Sequence, residues 1–232
     1  MLLREGEYMT FYICLLPIMF IMIIQGFAWI KFLPNKVKII TLFILIAMLF
    51  RYICILILFL ADNIKYLYML KIPFFLNLIA VPLIAFTAMY IFMRKDNIKF
   101  YYIFVISAVL CVLYGFIMHN YEVILKNAQQ YPAVLGYTMT FSKGSYIFWP
   151  YIVFNTLVIF FVLGFMGKNN PNKFGIYIIV LAACITSVEL IAWLLDVKVL
   201  VQPVLGDVSW TAVWIYVLNK VRKNHYSNIK SG

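Results

Sequence analysis

The sequence predicts an all-α integral membrane protein, a bundle of seven transmembrane helices with a small extracellular β-hairpin between helices four and five. Three observations predict this class: seven apolar stretches divide the 232-residue chain, 66% of its residues are hydrophobic, and only 12% are charged. A hydrocarbon core of about 30 Å needs about 20 helical residues to cross it. Membrane β-barrels show short alternating runs instead, so strands do not explain these continuous stretches.

The seven predicted helices follow the apolar stretches in chain order, at residues 11–30, 39–61, 72–93, 100–118, 148–166, 174–195 and 208–218. The first six have the length that a bilayer requires, whereas the seventh reaches it only with its polar flanks. Pro73 and Pro82 predict kinks in the third helix and an opening beside it, although simple bending also explains them. We expect one domain over residues 1–232, without a linker, ending in a short frayed cytoplasmic tail at 219–232.

The distribution of the net charge of +11 predicts the orientation of the bundle, because Lys and Arg in short loops favour the cytoplasmic side. One side carries twelve basic residues, among them Lys31, Arg94 and Lys220, against the single acid Asp96. The other side carries six basic and six acidic residues, so the first side accounts for the whole net charge. We therefore expect a plasma-membrane protein with its N-terminus outside and its C-terminus in the cytoplasm. Anionic lipid headgroups suffice as the partner of the basic side, and no nucleic acid is expected.

The longest connection, residues 119–147, predicts the extracellular hairpin. Its first part, residues 121–130, is compatible with a short helix. In the second part, residues 134–146, Thr138 and Thr140 alternate with apolar neighbours at the period of two that is typical of a strand. Ser142, Lys143 and Gly144 would then form the turn of a strand pair. An irregular loop is the alternative interpretation.

Two ionisable residues of opposite sign lie within predicted helices. Arg51 lies about 15 Å below the outer end of helix two, and Glu189 about 10 Å below that of helix six, at about 1.5 Å per residue. A charge at this depth costs about 3 kcal/mol or more, so it normally faces a cavity or a partner. Asn77 in helix three and Asn155 in helix five fall at a similar depth. The shared depth predicts an outward-facing polar pocket, in which Arg51 and Glu189 would compensate each other.

Each of these residues also has an explanation that needs no ligand. Snorkelling would carry the charge of Arg51 toward the headgroups along its long stem. Glu189 would be stable as a neutral carboxyl hydrogen-bonded to a neighbouring helix. Asn77 and Asn155 would serve as interhelical hydrogen-bonding groups. Tryptophan residues near the pocket would likewise anchor helices at the membrane interface.

Two segments resemble bacterial sensors with a histidine-kinase N-terminal seven-helix region. The segment 141–155, FSKGSYIFWPYIVFN, is similar to that family's Gly-containing turn, Phe/Trp pair and aromatic-rich fifth helix. The segment 200–210, LVQPVLGDVSW, is similar to its Pro-containing outer loop, with an Asp just before the seventh helix. The helix pattern and the long fourth connection extend the resemblance over nearly the whole chain. Helix six lacks the family's usual Pro and Asn, and the sequence reaches Gly232 without the usual kinase, sensory or cyclic-dinucleotide module.

The resemblance implies a sensor that detects an extracellular or membrane-phase signal and passes it through helix seven to a cytoplasmic effector. That effector would be a kinase-type module in the same chain or another, and a homodimer is one arrangement that would permit this. The ligand itself stays an unidentified small molecule. The ligand-pocket candidates, with the rim tryptophans and the Asp of the last outer loop included, are Arg51, Asn77, Asn155, Glu189, Trp149, Trp193, Asp207 and Trp210.

Catalysis and cofactor binding have little support in the sequence. Glu189 has Ser187 and Thr186 nearby, but residues one to three apart on a helix mostly point in different directions. No CxxC or HExxH spacing indicates a metal site, and the four cysteines lie in predicted spans as small packing residues. We expect no enzyme activity, catalytic residue, cofactor or metal. The alternative function is a small transporter or permease for a polar substrate, although transporters commonly show internal repeats and none is evident here.

Overall fold

The computed structural model describes residues 2–61, 64–93, 99–127, 136–143, 145–166, 172–195 and 202–230. Within them it contains seven long helices and a two-stranded antiparallel sheet. In chain order these are α1 (Leu2–Trp29), α2 (Asn35–Leu60), α3 (Asn77–Met93), α4 (Tyr101–Asn120), β1 (Val123–Asn127), β2 (Tyr137–Phe141), α5 (Ser145–Gly164), α6 (Lys173–Leu194) and α7 (Leu205–Lys230). We call the end of the bundle beside the strands the sheet end. The opposite end, where α2 starts and Lys31 lies, is the basic end.

The helices α1 to α6, with α3 extended back to Tyr66, are long and apolar enough to cross a membrane. Their outward faces are apolar as well: Val112 on α4 is 73% exposed, Phe160 on α5 70% and Ile24 on α1 66%. Water penalises apolar surface of this extent, whereas a lipid solvent does not. The architecture is compatible with a multi-pass membrane protein, and the predicted helical class with a small sheet is confirmed.

The helix α7 is the central element of the bundle although its composition is the least apolar. It packs against α1, α3 and α6, and Trp210, Val213, Trp214 and Val217 on it have no exposed surface. Its 26 residues span about 39 Å. The prediction of a short seventh helix at 208–218, followed by a frayed tail, is therefore wrong, because the helix continues to Lys230. Packing of one face against three helices stabilises it where hydropathy alone gives a weak signal.

The predicted third helix, residues 72–93, is interrupted. A single helical turn, Lys71–Phe74, is followed by two residues of turn before α3 begins at Asn77. The break lies directly after Pro73, in agreement with the predicted kink, whereas Pro82 lies inside α3 without interrupting it. The interruption matters for the site because it leaves the Phe74 carbonyl without its helical partner.

The two strands pair antiparallel, with Val123 opposite Phe141 and Asn127 opposite Tyr137. The predicted strand in the second half of the connection is confirmed as β2. The prediction of its partner strand is wrong, because β2 pairs with β1. The first half forms β1 rather than a short helix, because its Val-Ile-Leu run suits a paired strand. Of the predicted turn, Gly144 lies outside the described residues; Ser142 and Lys143 follow β2, and the next element is α5 from Ser145 instead of a second strand.

The sheet is seated on the end of α2 and on the break in helix three. Gly136 has a φ of 98°, and a Cβ added there would lie 2.3 Å from the Leu58 carbonyl oxygen. Only glycine tolerates both the conformation and this close approach. At the other end of β2, Phe141 stacks on Phe75 with ring centroids 4.0 Å apart. The sheet therefore forms a fixed cap over the polar residues described next.

Candidate functional site

A buried ion pair joins α2 to the start of α7. Arg51 Nε donates to Asp207 Oδ2 over 2.6 Å, and the two side chains are 2% and 5% exposed. Arg51 lies nine residues before the end of α2, about 13 Å along the helix. Asp207 lies in the first turn of α7, not before the helix as the sequence resemblance suggested. The helix α7 therefore begins well below the sheet end of α2.

The other hydrogen bonds of Arg51 go to two backbone carbonyls at interruptions of the helices. Its Nη1 donates to the Phe74 carbonyl over 2.5 Å, and its Nη2 to the Pro203 carbonyl over 3.3 Å. The first carbonyl is left free by the break in helix three, and the second belongs to the extended residues before α7. Irregular backbone inside an apolar bundle is stable only when its polar groups are satisfied. Arg51 thus holds together the ends of two interrupted elements as well as neutralising Asp207.

Asn77, the first residue of α3, completes the coordination of Asp207. Its Nδ2 donates to Asp207 Oδ1 over 3.2 Å, and its own carbonyl accepts a hydrogen bond of 3.4 Å from the Tyr151 hydroxyl on α5. The amide oxygen, Asn77 Oδ1, is buried and has no hydrogen-bond partner among the described residues. A buried acceptor without a partner costs about 1–3 kcal/mol. Asn77 lines the cavity described below, and a small rotation of its side chain would present this unpaired oxygen to a bound molecule.

Glu189 makes a different contact from the one that the sequence predicts. Its Oε1 and Oε2 accept hydrogen bonds from the backbone N–H groups of Leu205, over 2.9 Å, and Gly206, over 2.7 Å. These are the first residues of α7, whose unpaired N–H groups and positive dipole end favour a carboxylate. Glu189 therefore caps α7, and the predicted compensation of Arg51 by Glu189 is wrong, because Asp207 is the ion partner.

Gly206 permits this close approach of α6 and α7. A Cβ added at Gly206 would lie 2.9 Å from Thr186 Oγ1 and 3.2 Å from Glu189 Oε2. Any larger residue would push the carboxylate away from the N–H groups that it accepts from. The glycine thus has a packing role at the first turn of α7.

A cavity of about 60 Å³ lies beside these groups, under β2. Arg51, Asn77, Tyr151, Glu189 and Asp207 contribute polar atoms to its wall, and the remainder of the lining is mainly aromatic and aliphatic. Because a water needs about 15 Å³ measured in this way, the cavity has room for roughly four waters or a small polar group. One cation faces two carboxylates here: Arg51 is paired with Asp207, and Glu189 accepts hydrogen bonds from two backbone N–H groups instead of a cation.

Five of the eight predicted pocket residues line this cavity. Trp193, on α6, belongs to the lining together with the polar side chains, and its ring meets that of Phe148 edge to face with centroids 6.5 Å apart. These five residues are Arg51, Asn77, Glu189, Trp193 and Asp207.

The other three candidates lie elsewhere in the described part of the chain. Asn155 is fully buried, but its Nδ2 donates over 2.8 Å to the carbonyl of Tyr151 one turn earlier on the same helix. Trp149 is 59% exposed on the outer surface of α5. Trp210 has no exposed surface and packs in the core below the ion pair. Depth alone therefore did not identify which side chains turn toward the cavity.

The sequence interpretation missed two kinds of group in the site. The first is Tyr151, whose hydroxyl reaches the Asn77 carbonyl. The second is the pair of backbone carbonyls that Arg51 binds. A signal for the interruptions was present in Pro73 and Pro203, since a proline disfavours a continuous helix around it, but it does not specify which carbonyls Arg51 binds.

A scan against models of protein families and a search of curated proteins give no match for this chain.

Proposed function

We propose that the chain is a seven-helix membrane sensor, which detects a signal at its outer face or from the bilayer and passes it through α7 to a cytoplasmic effector. One observation carries this proposal. Gly206 and Asp207 in the first turn of α7 form part of the cavity wall, and the same helix continues without interruption to Lys230 at the basic end.

The contacts around the cavity give a ligand a way to act on α7. A molecule in the cavity touches α2 through Arg51, α6 through Glu189 and α7 through Asp207. The capping bonds from Glu189 and the ion pair from Arg51 together fix where α7 begins. A ligand that binds one arrangement of these groups better than another shifts the population toward it. Such a shift in population would change the position of α7.

The basic end of α7 is in contact with its neighbours, so a movement there would be felt by them. The guanidinium carbon of Arg222 lies 4.4 Å from the Trp29 ring centroid on α1. The ammonium nitrogen of Lys220 lies 5.7 Å from the Phe92 ring centroid on α3. In the orientation that we propose, this end faces the cytoplasm and the sheet end faces outward, as the charge distribution predicts.

The sequence resemblance to histidine-kinase N-terminal sensor regions supports the same function. The Asp of the matching segment 200–210 is Asp207, the ion partner of Arg51. We propose that α7 acts on a kinase-type effector, in the same chain or another, and that two copies associate where the effector requires a dimer.

The experiment is a fusion of a histidine-kinase core in helical register after Lys230, with one to four residues inserted at the junction. We expect autophosphorylation to vary with the number of inserted residues at a period of about 3.6, because each residue rotates the joint by about 100°. Asp207→Asn should change the basal output, whereas Thr156→Val, on the exposed side of α5, serves as the matched control. Output that is flat across the four insertions and the same in both variants would contradict the proposal.

A second candidate function is a small transporter for a polar substrate. The observation that favours it is the convergence of two interrupted elements, helix three and the residues before α7, on Arg51. Transporters commonly build their substrate sites where helices are broken. Counterflow uptake of a panel of labelled amino acids, sugars and carboxylates into proteoliposomes distinguishes the two, since a sensor moves none of them.

A further inference from the structure

We infer that the molecule sensed is a single-chain amphiphile with an uncharged head that donates a hydrogen bond, and that it reaches the cavity sideways from the membrane between α4 and α5. This inference rests on the proposed function, because it treats the cavity beside Arg51 as the ligand site of a sensor. It identifies the chemical class of the ligand from two adjoining spaces of opposite character.

The first of these spaces is an apolar groove of about 590 Å³ on the flank of the bundle. Pro82 and Phe86 of α3 form its floor, Val109 and Leu113 of α4 one wall, and Phe154 of α5 the other. The volume is within the range of about 300–1,000 Å³ that is typical of small-molecule sites. The groove exists because α4 packs against α3 along a narrow face only. Of the residues in its membrane-length apolar stretch, 11% are buried.

The groove has the length of an acyl chain rather than of a compact ligand. Along α4 its lining extends from Val105 to Ile117, a rise of about 18 Å at about 1.5 Å per residue. Its lining is aliphatic and aromatic apart from the hydroxyls of tyrosines near the sheet end. An elongated apolar tail that lies parallel to α4 matches both the shape and the chemistry.

The second space is the polar cavity, and the two share a wall. Leu78, Ile147 and Tyr151 line both the groove and the cavity. Tyr151 marks the transition, since its ring faces the apolar side while its hydroxyl donates to the Asn77 carbonyl. A tail in the groove would therefore place a head group against Tyr151 and Asn77. The side chains of Leu78, Ile147 and Tyr151 separate the two spaces, so a head group that enters the cavity must displace them.

The charges in the cavity select an uncharged head. Arg51 is paired with Asp207 and two carbonyls, and Glu189 with two backbone N–H groups. A charged head would lose its hydration, while the one cation already has Asp207 as its partner and both Glu189 oxygens already accept from backbone N–H groups. Among the described side chains that line the cavity, Asn77 has a buried acceptor, Oδ1, without a hydrogen-bond partner. The matching head is a hydroxyl group, and the cavity of about 60 Å³ limits it to a few non-hydrogen atoms.

The test uses the full chain in phosphatidylcholine nanodiscs and a monoacylglycerol that carries a diazirine in its acyl chain. After irradiation, we expect labelled residues on α4 between Val105 and Phe116 and on α5 near Phe154. Unlabelled monoacylglycerol should compete, whereas added phosphatidylcholine should not. If phosphatidylcholine removes the labelling as well as monoacylglycerol does, the occupant is ordinary bilayer lipid and the inference is overturned. The inference is also overturned if the labelling is lost because two copies of the chain associate through this face.

Two valines of α4 provide a matched pair of variants. Val109 lines the groove and Val112 does not, although both are exposed on the same helix. Val109→Trp should lower the apparent affinity for monoacylglycerol by about tenfold, the loss expected when roughly five chain carbons are displaced. Val112→Trp should leave it unchanged. Equal effects of the two substitutions would overturn the inference.

The head group is tested by comparing the monoacylglycerol with a fatty-acid methyl ester and a free fatty acid of the same chain length. The wild-type protein should prefer the monoacylglycerol by about three- to tenfold over either, because only its head is both uncharged and a hydrogen-bond donor. Asn77→Leu should abolish this preference and leave chain binding intact. If that variant fails to fold, the wild-type comparison decides alone, and equal affinity for the three molecules would refute the head-group assignment.

The binding test and the fusion test fail independently. If the protein does not capture the probe but the fusion output still varies with the number of inserted residues, the amphiphile is rejected and the sensor is retained. Specific capture with flat fusion output would retain the binding site and reject the sensor.

Discussion

The ion pair between Arg51 and Asp207 determines where α7 begins, and its removal should destabilise the protein in a non-additive way. We consider three variants: Arg51→Met, Asp207→Leu and the double change. Each single substitution leaves one charge buried without its partner. The double substitution removes both charges of the pair, so it should cost less than the two single changes added together.

The contacts of the pair give the magnitudes. Asp207→Leu leaves the Arg51 guanidinium uncompensated, which costs about 3–5 kcal/mol for a buried pair. Arg51→Met has a similar cost and also frees the Phe74 and Pro203 carbonyls, each at about 1–3 kcal/mol. The carbonyl cost persists in the double variant, whereas the cost of the unpaired charge does not. The coupling energy should therefore be about 3 kcal/mol or more.

Reversible unfolding by steric trapping, or thermal melting in nanodiscs, measures this coupling. At about 2–4 °C per kcal/mol for a chain of this size, the double variant should melt roughly 6–12 °C above the additive expectation. The control pair is Asp207→Leu with Arg222→Met, since Arg222 lies about 22 Å further along α7 and should add within about 0.5 kcal/mol. Additive losses for Arg51 and Asp207 would refute the reasoning that the two residues form one unit.

Three further predictions address the cap, the sheet and the orientation. Glu189→Ala should destabilise the protein by about 0.5–2 kcal/mol through loss of the α7 cap, seen as faster hydrogen exchange at the first amides of that helix; unchanged exchange would contradict the capping role. Gly136→Ala should cost more than 1 kcal/mol in unfolding free energy, because its φ of 98° and the nearby Leu58 carbonyl leave no room for a Cβ; an equally stable variant would show that the sheet is not seated on α2. A cysteine at Lys143 should react with an impermeant thiol reagent in intact cells while one at Lys36 does not, and the reverse result would overturn the proposed orientation.

The sequence was a good guide to depth and a poor guide to rotation about a helix axis. Arg51 is conspicuous as a lone charge in a long apolar run, and the structure places it in the polar cluster. Trp193 lines the cavity while Trp149 faces outward, although both were predicted at the rim. Their helices are apolar all round, so no periodicity reveals which face turns inward. That information resides in the packing of neighbouring helices.

Contacts between distant segments explain the remaining differences. The strand β1 forms because β2, which begins ten residues after β1 ends, supplies its hydrogen-bond partners. The start of α7 is fixed by Glu189 and Arg51, on α6 and α2, so hydropathy placed Asp207 before the helix instead of inside it. The predicted ion partner of Arg51 was wrong for the same reason: the sequence shows opposite charges at similar depth but not the close approach that Gly206 allows.

The central claim is that the state of the cavity is transmitted along α7 to the basic end. Spin labels at Lys223 on α7 and Lys36 on α2, both exposed, report the distance between these helices by pulsed electron resonance in nanodiscs. Asp207→Asn, which weakens the bond to Arg51 at the other end of α7, should shift or broaden that distance distribution, while Thr156→Val should not. Superimposable distributions for the wild type and Asp207→Asn would contradict the claim.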